Sequence, residues 1–217
     1  MAWSSGKDSA WAYHTAQQAG EYEITALLTT VTADHDRVSM HGVRTSLLAA
    51  QAAAVGLPLV RVDIPADCTD DMYAERMEAA HADLRGDGVR HVIFGDLYLE
   101  GIRDYRTERL ARAGMAPVFP LWRREPRHLA TEMIDGGLRA ILTCVDPRAI
   151  DASFAGRAFD AGLLADLPAG CDPCGENGEF HTVVTAGPMF SGPIPVRSGA
   201  VVERDGFFFA DVMGVGD

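Results

Sequence analysis

The residues Ser4-Ser5-Gly6-Lys7-Asp8-Ser9 crowd hydroxyls, an amine, a carboxylate and a glycine into one short stretch ahead of a helical pattern. A glycine such as Gly6 lets the backbone fold back so that successive N–H groups point at one anion. A helix starting at this point adds its unpaired first-turn N–H groups and the positive end of its dipole. Lys7 contributes a mobile positive charge, and Ser4, Ser5 and Ser9 contribute hydroxyl donors. The combination reads as a phosphate cradle rather than as a plain strand–helix turn. It is not a Walker loop, which needs a second glycine further upstream and a hydroxyl residue straight after the lysine. Asp8 stands there instead.

A second concentration of chemistry lies at Cys171-Asp-Pro-Cys174-Gly175-Glu176-Asn177-Gly178-Glu179-Phe180-His181-Thr182. Glu176 and Glu179 flank an Asn-Gly pair that can turn sharply, so both carboxylates could face one ligand. Such a pair could hold Mg²⁺ with phosphates, orient an amine nucleophile or act as a general base. A solvated polar turn is the plainer alternative, and composition alone favours it. For Cys171-x-x-Cys174 the readings are structural, redox or sulfur chemistry, and metal. The structural one is adopted, because a lone pair of cysteines without a second pair or nearby histidines is weak for zinc.

The elements that must position these groups alternate for about two thirds of the chain. Helical spacing from Ser9 to a glycine stop at Gly20 precedes a β-rich run, Ile24 to Thr32. A helix over Val43 to Val55 stops at Gly56, and Leu59 to Ile64 is the next strand. Asp70 and Asp71 open a helix to about Leu84, His91 to Phe94 is a short strand, Arg103 to Ala113 is helical and Pro117 to Leu121 extended. This order predicts a parallel sheet with helices on both faces. Ligands of such sheets sit beyond the C-terminal strand ends, which places Thr30 to Asp36 and Gly95-Asp96 around one crevice. Asp96 there either holds Mg²⁺, as Asp8 could, or caps the next segment; His41 either contacts nucleotide or caps the helix after it. Arg103, Arg106 and Arg109 are expected to pair on the surface with Glu100, Asp104 and Glu108.

Past Leu121 a helix over Leu129 to Asp135, a strand over Ala140 to Val145 and helical pieces between Phe154 and Leu167 give way to a glycine- and proline-rich stretch. Val201 to Phe209 then reads as a hairpin about Asp205-Gly206. The division expected is an α/β domain over residues 1–121 and a smaller α+β domain over 122–217. Only Met1 to Trp3 precede the loop, too few for a full central strand. Either a stub stands there or the natural chain begins further upstream, and the second is the expectation.

Hydrophobic residues make up 47% and charged residues 23% of the 217, ordinary for a soluble globular protein. No apolar run is long enough to cross a bilayer and no segment resembles a secretion signal, so the chain is read as cytoplasmic. A formal net charge of −12 argues against bulk binding of nucleic acid and leaves room for recognition of a modified RNA through one pocket. A compact basic site on an acidic protein suits a small anion such as ATP.

The loop resembles the PP-loop, Ser-Gly-Gly-Lys-Asp-Ser, of the N-type ATP pyrophosphatases, with Ser5 where the family most often has glycine. Cys174-Gly-Glu-Asn-Gly-Glu-Phe180 resembles the Cys-Gly-Glu-Gly-Gly-Glu-Tyr signature of the diphthine–ammonia ligase family, itself a PP-loop group. His41 in Met-His-Gly-Val, Gly56-Leu-Pro-Leu59, Gly95-Asp96, Pro120-Leu-Trp122 through Glu132-Met-Ile134 and Ala140 to Asp146 resemble further family positions in order. The resemblance implies an adenine nucleotide alpha hydrolase-like fold of the HUP/Rossmann-like kind. It implies that Ser4 to Ser9, with His41 and Gly95, bind ATP, and that a substrate oxygen attacks the α-phosphate. An acyl adenylate then passes to ammonia to form an amide. Lys7 would neutralise the departing pyrophosphate, Asp8 and Asp96 would place Mg²⁺, and Glu176, Asn177 and Glu179 would line the acceptor site. The acceptor is a carboxylate on a protein side chain or small molecule, and a homodimer stays open. The rivals are a PP-loop enzyme that thiolates tRNA and a non-catalytic ATP sensor.

Overall fold

The computed structural model describes residues 1–215. Helix α1 (Lys7–Ala19) follows the loop directly and ends at Gly20, whose φ of 67° closes the helix in the left-handed conformation. Strand β1 (Leu27–Thr32) pairs in parallel along its whole length with β3 (Leu59–Ile64), and antiparallel at its end with the short β2 (Arg37–Val38). Between β2 and β3 lies α2 (Thr45–Val55). After β3, α3 (Asp70–Gly86) leads to β4 (His91–Ile93), and α4 (Glu100–Arg112) leads to β5 (Ala116–Val118), parallel to β4. These are mixed α/β units with parallel strands, as the alternation of patterns predicts.

Residues 1–3 are the stub that joins the two parallel pairs. Ala2 N–H donates to the Ile93 carbonyl at 2.9 Å, while Leu28 N–H and Trp3 N–H exchange bonds with Met1 and Leu28 carbonyls, each at 2.8 Å. Ala2 lies parallel to Leu28, so the spatial order becomes β3, β1, stub, β4, β5. The loop at Ser4 therefore leaves the middle of the sheet, at the strand end where chain order reverses direction. Trp3 anchors the stub: it is 2% exposed, and its indole N–H donates to Gln51 Oε1 at 2.9 Å.

The second half contains α5 (Pro126–Asp135), β6 (Arg139–Val145), α6 (Ala161–Asp166), β7 (Phe180–Ala186), β8 (Val196–Arg204) and β9 (Phe207–Gly214). Its four strands form an antiparallel sheet in the order β7, β6, β9, β8. The hairpin falls where Asp205-Gly206 predicts it, with φ of 51° and 79° at those residues. Strand β7 is the element the sequence reading lacks. It follows a glycine-rich stretch, and its run Phe-His-Thr-Val-Val-Thr-Ala begins inside the polar motif.

The halves share one core. A continuous buried cluster runs from Trp3, Trp11 and Leu48 to Phe159, Phe180 and Val184. Polar contacts cross with it: Trp11 Nε1 donates to Glu132 Oε1 at 3.0 Å, and Arg44 Nη2 pairs with Asp211 Oδ2 at 2.6 Å. Among the described residues, no helix is long and apolar enough to cross a membrane.

Candidate functional site

Strand β7 and helix α2 shape the N-terminal loop from behind. Val184 N–H donates to the Ser5 carbonyl at 2.9 Å, and Lys7 N–H donates to Thr182 Oγ1 at 3.1 Å. Gln51, fully buried within α2, donates through Nε2 to the carbonyls of Ser5 at 3.0 Å and Val184 at 2.8 Å. Ser9 Oγ donates to the Gly6 carbonyl at 2.9 Å and lies 3.2 Å from Ser4 Oγ. Gly6 at the N-cap of α1 has no side chain to cap it; Thr182 takes the Lys7 N–H, and the first-turn N–H groups after it can turn to an anion.

The exchange of glycine for Ser5 has a visible consequence. Ser5 sits at φ 71°, the left-handed region that disfavours any residue with a Cβ, and its buried hydroxyl has no hydrogen-bond partner among the described residues. The conformation costs about 1 kcal/mol, and the unpaired hydroxyl adds to it, against a smaller entropy gain for the unfolded chain with glycine. Ser5→Gly is therefore expected to raise the melting temperature by about 2–4 °C. A scanning calorimetry trace that is unshifted or lower contradicts strain at this position.

Gly95 explains how the second loop reaches the first. A Cβ there would lie 2.7 Å from the Asp8 carbonyl carbon and 2.8 Å from Ser9 N, so only glycine allows the β4 end to touch the start of α1. A cleft of about 550 Å³ opens at this junction. It is lined by Ser4, Lys7, Asp8 and Ser9 from the loop, His41, Gly95 and Asp96, and by Glu176, His181 and Thr182 from the second half. The volume is ordinary for a small-molecule site.

Of the residues singled out in sequence, the structure brings together Ser4, Lys7, Asp8, Ser9, His41, Gly95, Asp96 and Glu176. His41 is at the cleft rather than capping α2; Arg44 holds the N-cap position there. Its ring lies 4.5 Å from that of His181, and Nδ1 is 3.4 Å from the Thr182 carbonyl oxygen. Burial is the main cause holding both imidazoles well below the usual histidine range, His181 at about 4, with the Lys7 charge adding to it. Asp96 does not cap α4, whose N-cap is Leu99. It pairs with Arg106, Oδ2 lying 2.7 Å from Nε and Oδ1 accepting from Nη2 at 3.0 Å. Arg109 likewise pairs with Glu78 at 3.0 Å, and Arg103 lies over Trp122, 4.9 Å from its ring. Arg103, Arg106 and Arg109 thus reach across to other elements, whereas Arg112 pairs with Glu108 along the helix.

Lys7 is not mobile. It is 1% exposed, donates to the Cys174 carbonyl and to Asp8 Oδ2 at 2.9 Å, and lies 5.1 Å from the Phe180 ring and 5.5 Å from that of Phe159. Burial works against its charge, but Asp8 together with the Cys174 and Glu176 groups raises its pKa overall. Asp8 keeps one oxygen, Oδ1, with no hydrogen-bond partner among the described residues.

Glu176 and Glu179 part company. Gly175, at φ 67°, turns the chain so tightly that a Cβ would lie 2.8 Å from the Phe180 carbonyl oxygen. Glu176 points into the cleft, where Oε1 accepts from Leu97 N–H at 2.8 Å and Tyr98 N–H at 3.4 Å. Burial, with the Asp8 and Asp96 charges, pushes its carboxyl up to about 7 against those two bonds. Glu179 does not line the cleft. Its carboxylate accepts from the backbone N–H groups of Asp172 (3.1 Å) and Asn177 (3.0 Å), and from the Asn177 amide at 3.0 Å. It is a brace for the 171–179 turn, and Asn177 is part of that brace.

Both cysteines of the pair are buried free thiols. Burial pushes Cys171 up to about 11 and Cys174 higher still, the reverse of what a reactive thiolate needs. The structural reading of the pair accords with this. Sequence reasoning missed Gln51, and it gave no role to His181 and Thr182, although both stand in the second motif. A lone glutamine on the buried face of an alanine-rich helix was a readable signal for the first; the other two needed β7.

The described residues from 1–116 match the family model for the diphthamide synthase N-terminal domain, and 125–211 match that for the C-terminal domain. The chain belongs to the diphthamide synthase family. It is 27% identical to the diphthine–ammonia ligase of Danio rerio, the match covering 96% of this chain and 90% of that one. The diphthine–ammonia ligase of Bos taurus is also 27% identical, over 96% of this chain and 86% of its own. That of Schizosaccharomyces pombe is 28% identical over 64% of this chain and 23% of its own length.

Proposed function

We propose that this chain is an ATP-dependent ligase that joins ammonia to a carboxylate through an acyl adenylate. The observation that carries the reading is one cleft holding both the uncapped start of α1 and the half-buried carboxyl of Glu176. Residues 1–121 act as the ATP-binding half and 122–217 as the acceptor half. Backbone N–H groups and the hydroxyls of Ser4 and Ser9 hold the terminal phosphates, with Ser5 and Gly6 setting the turn. His41 and Gly95 border the nucleotide. A carboxylate oxygen of the acceptor attacks the α-phosphorus and pyrophosphate leaves. Ammonia then attacks the acyl carbon, AMP leaves, and the nitrogen loses a proton to Glu176. Glu179 and Asn177 keep Glu176 in place.

Mg²⁺ would neutralise charge on the phosphates. Among the described residues no three His, Cys, Asp or Glu side chains gather as a metal cage, but Mg²⁺ with nucleotides commonly takes only one or two carboxylates plus phosphate oxygens. Asp8 fits that use through its unpartnered Oδ1, with Asp96 beside it once freed from Arg106.

The test is release of AMP and pyrophosphate by the purified chain with ATP, ammonia and a panel of carboxylates, small acids and protein-borne ones. Release dependent on one carboxylate supports the reading. ATP binding without any release under all conditions leaves a nucleotide sensor instead.

A further inference from the structure

Two arginines face each other where the chain between β1 and α2 turns back on itself. Residues 37–44 form a hairpin: Arg37 and Arg44 are antiparallel partners, Val38 N–H donates to the Val43 carbonyl at 2.8 Å, and Gly42 N–H donates to the Val38 carbonyl at 3.0 Å. Like charges directly opposite one another destabilise such a pair. The tip works against the hairpin as well, because Met40 carries a Cβ yet stands at φ 64°, in the left-handed region. This hairpin needs holding from outside.

The hold comes from β9. Asp211 Oδ1 accepts from Arg37 Nη2 at 3.1 Å and from Arg44 Nε at 2.9 Å, while Oδ2 accepts from Arg44 Nη2 at 2.6 Å. One carboxylate thus neutralises both arginines, and its two-pronged bond to Arg44 fixes direction as well as charge. Arg37 passes the hold to the tip, where its Nη1 donates to the Gly42 carbonyl at 2.7 Å. Phe209, two residues from Asp211 and so on the same face of β9, packs on the tip; a Cβ on Gly42 would lie 2.9 Å from its Cδ1. Beside Gly42 stands His41, so close to the phosphate loop that a Cβ on Gly6 would lie 3.0 Å from its Cε1. Contacts therefore run unbroken from Asp211 through Arg37 and the hairpin tip to the loop, although Asp211 itself does not line the cleft.

Resting on the ATP reading above, we propose that Asp211 is a positioning residue for nucleotide binding: it clasps the 37–44 hairpin and so sets His41 against Gly6 and His181. It touches no substrate and acts through Arg37, Arg44 and the tip between them. The C-terminal sheet thereby fixes one wall of the cleft from a strand that contributes no side chain to it.

Two measurements on the full chain test this, histidine ring signals by NMR and equilibrium binding of ATP, using Asp211→Asn and Arg37→Ala. The second variant leaves the Arg44–Asp211 pair intact, so it keeps its fold even where the first does not. The His41 signal is identified by its loss in His41→Ala. In both variants it is expected to lose the shift imposed by the His181 ring 4.5 Å away and to move toward that of an exposed histidine, with ATP affinity weakened about tenfold. A variant that is merely less stable leaves that signal in place below its melting temperature. Added to His41→Ala, Asp211→Asn is expected to weaken ATP binding by less than about a further twofold, because the group it positions is gone. An unmoved His41 signal in the folded variants, or a full further loss in the His41→Ala background, overturns the assignment while wild-type binding upholds the ATP reading. A wild-type chain that binds no ATP overturns both.

Discussion

Glu176→Gln is expected to lower amide formation by about 10²- to 10⁴-fold while ATP–pyrophosphate exchange falls far less. Glutamine preserves the Oε1 acceptor that Leu97 and Tyr98 N–H groups use, so the 171–179 turn stays docked on the 95–99 loop. What disappears is the ability to take a proton from nitrogen as it bonds to the acyl carbon. Glu176→Ala removes both functions, and the comparison separates base from latch. If the two variants are equally impaired in both half-reactions, Glu176 acts only as a latch.

The pH profile supplies a second readout. With the carboxyl pushed up to about 7, the wild-type rate climbs as pH rises to about 7 and then levels, because only the ionised form accepts a proton. Free ammonia also increases with pH, equally for wild type and Glu176→Gln, so the ratio of the two rates isolates the carboxyl. The stability sign runs the opposite way. A folded value above the unfolded 4.5 means the folded chain holds a proton the unfolded chain has released. That contribution is complete below about 4.5 and is lost as pH rises through about 7. Glu176→Gln lacks the slope, so its melting temperature gains on wild type across that window.

The phosphate cradle was legible in sequence because its physics is local: a glycine, three hydroxyls and a helix start are contiguous, and α1 begins where they require. The parallel pairs were legible for a similar reason, since β1 and β3 are β-rich runs that each follow a helix ended by a glycine, Gly20 and Gly56. The environment of Lys7 was not, because it is made by Phe159, Cys174 and Phe180, more than a hundred residues away in sequence. The same distance hid β7, whose outer edge is completed by the Ser5 carbonyl rather than by a neighbouring strand. The carboxylates of the second motif were found as a pair, but the positive φ values of Gly175 and Gly178 direct them to different work. No spacing rule separates a ligand-facing glutamate from a bracing one three residues on.

Lys7→Met is expected to be the most destabilising single change in the loop. Lys7 is the ion-pair partner of Asp8, whose side chain is 29% exposed, and it also satisfies the Cys174 carbonyl. Removing one partner of a buried pair costs 3–5 kcal/mol, which the partial exposure of Asp8 reduces to roughly 3. For a chain of this size that is a fall in melting temperature of about 6–12 °C. Lys7→Met combined with Asp8→Asn is expected to recover most of it, because the uncompensated carboxylate is gone.

The double variant also decides what the lysine does. It keeps the net charge of the loop, so tripolyphosphate binding measured without divalent metal stays within about threefold of wild type if Lys7 is a fixed brace between the halves. If Lys7 instead leaves Cys174 and swings onto the phosphates, the double variant loses charge-assisted bonds that nothing replaces, and affinity drops by about a hundredfold. The buried position favours the brace: reaching the phosphates means breaking the bond to Cys174, separating from Asp8 and leaving two aromatic faces at once.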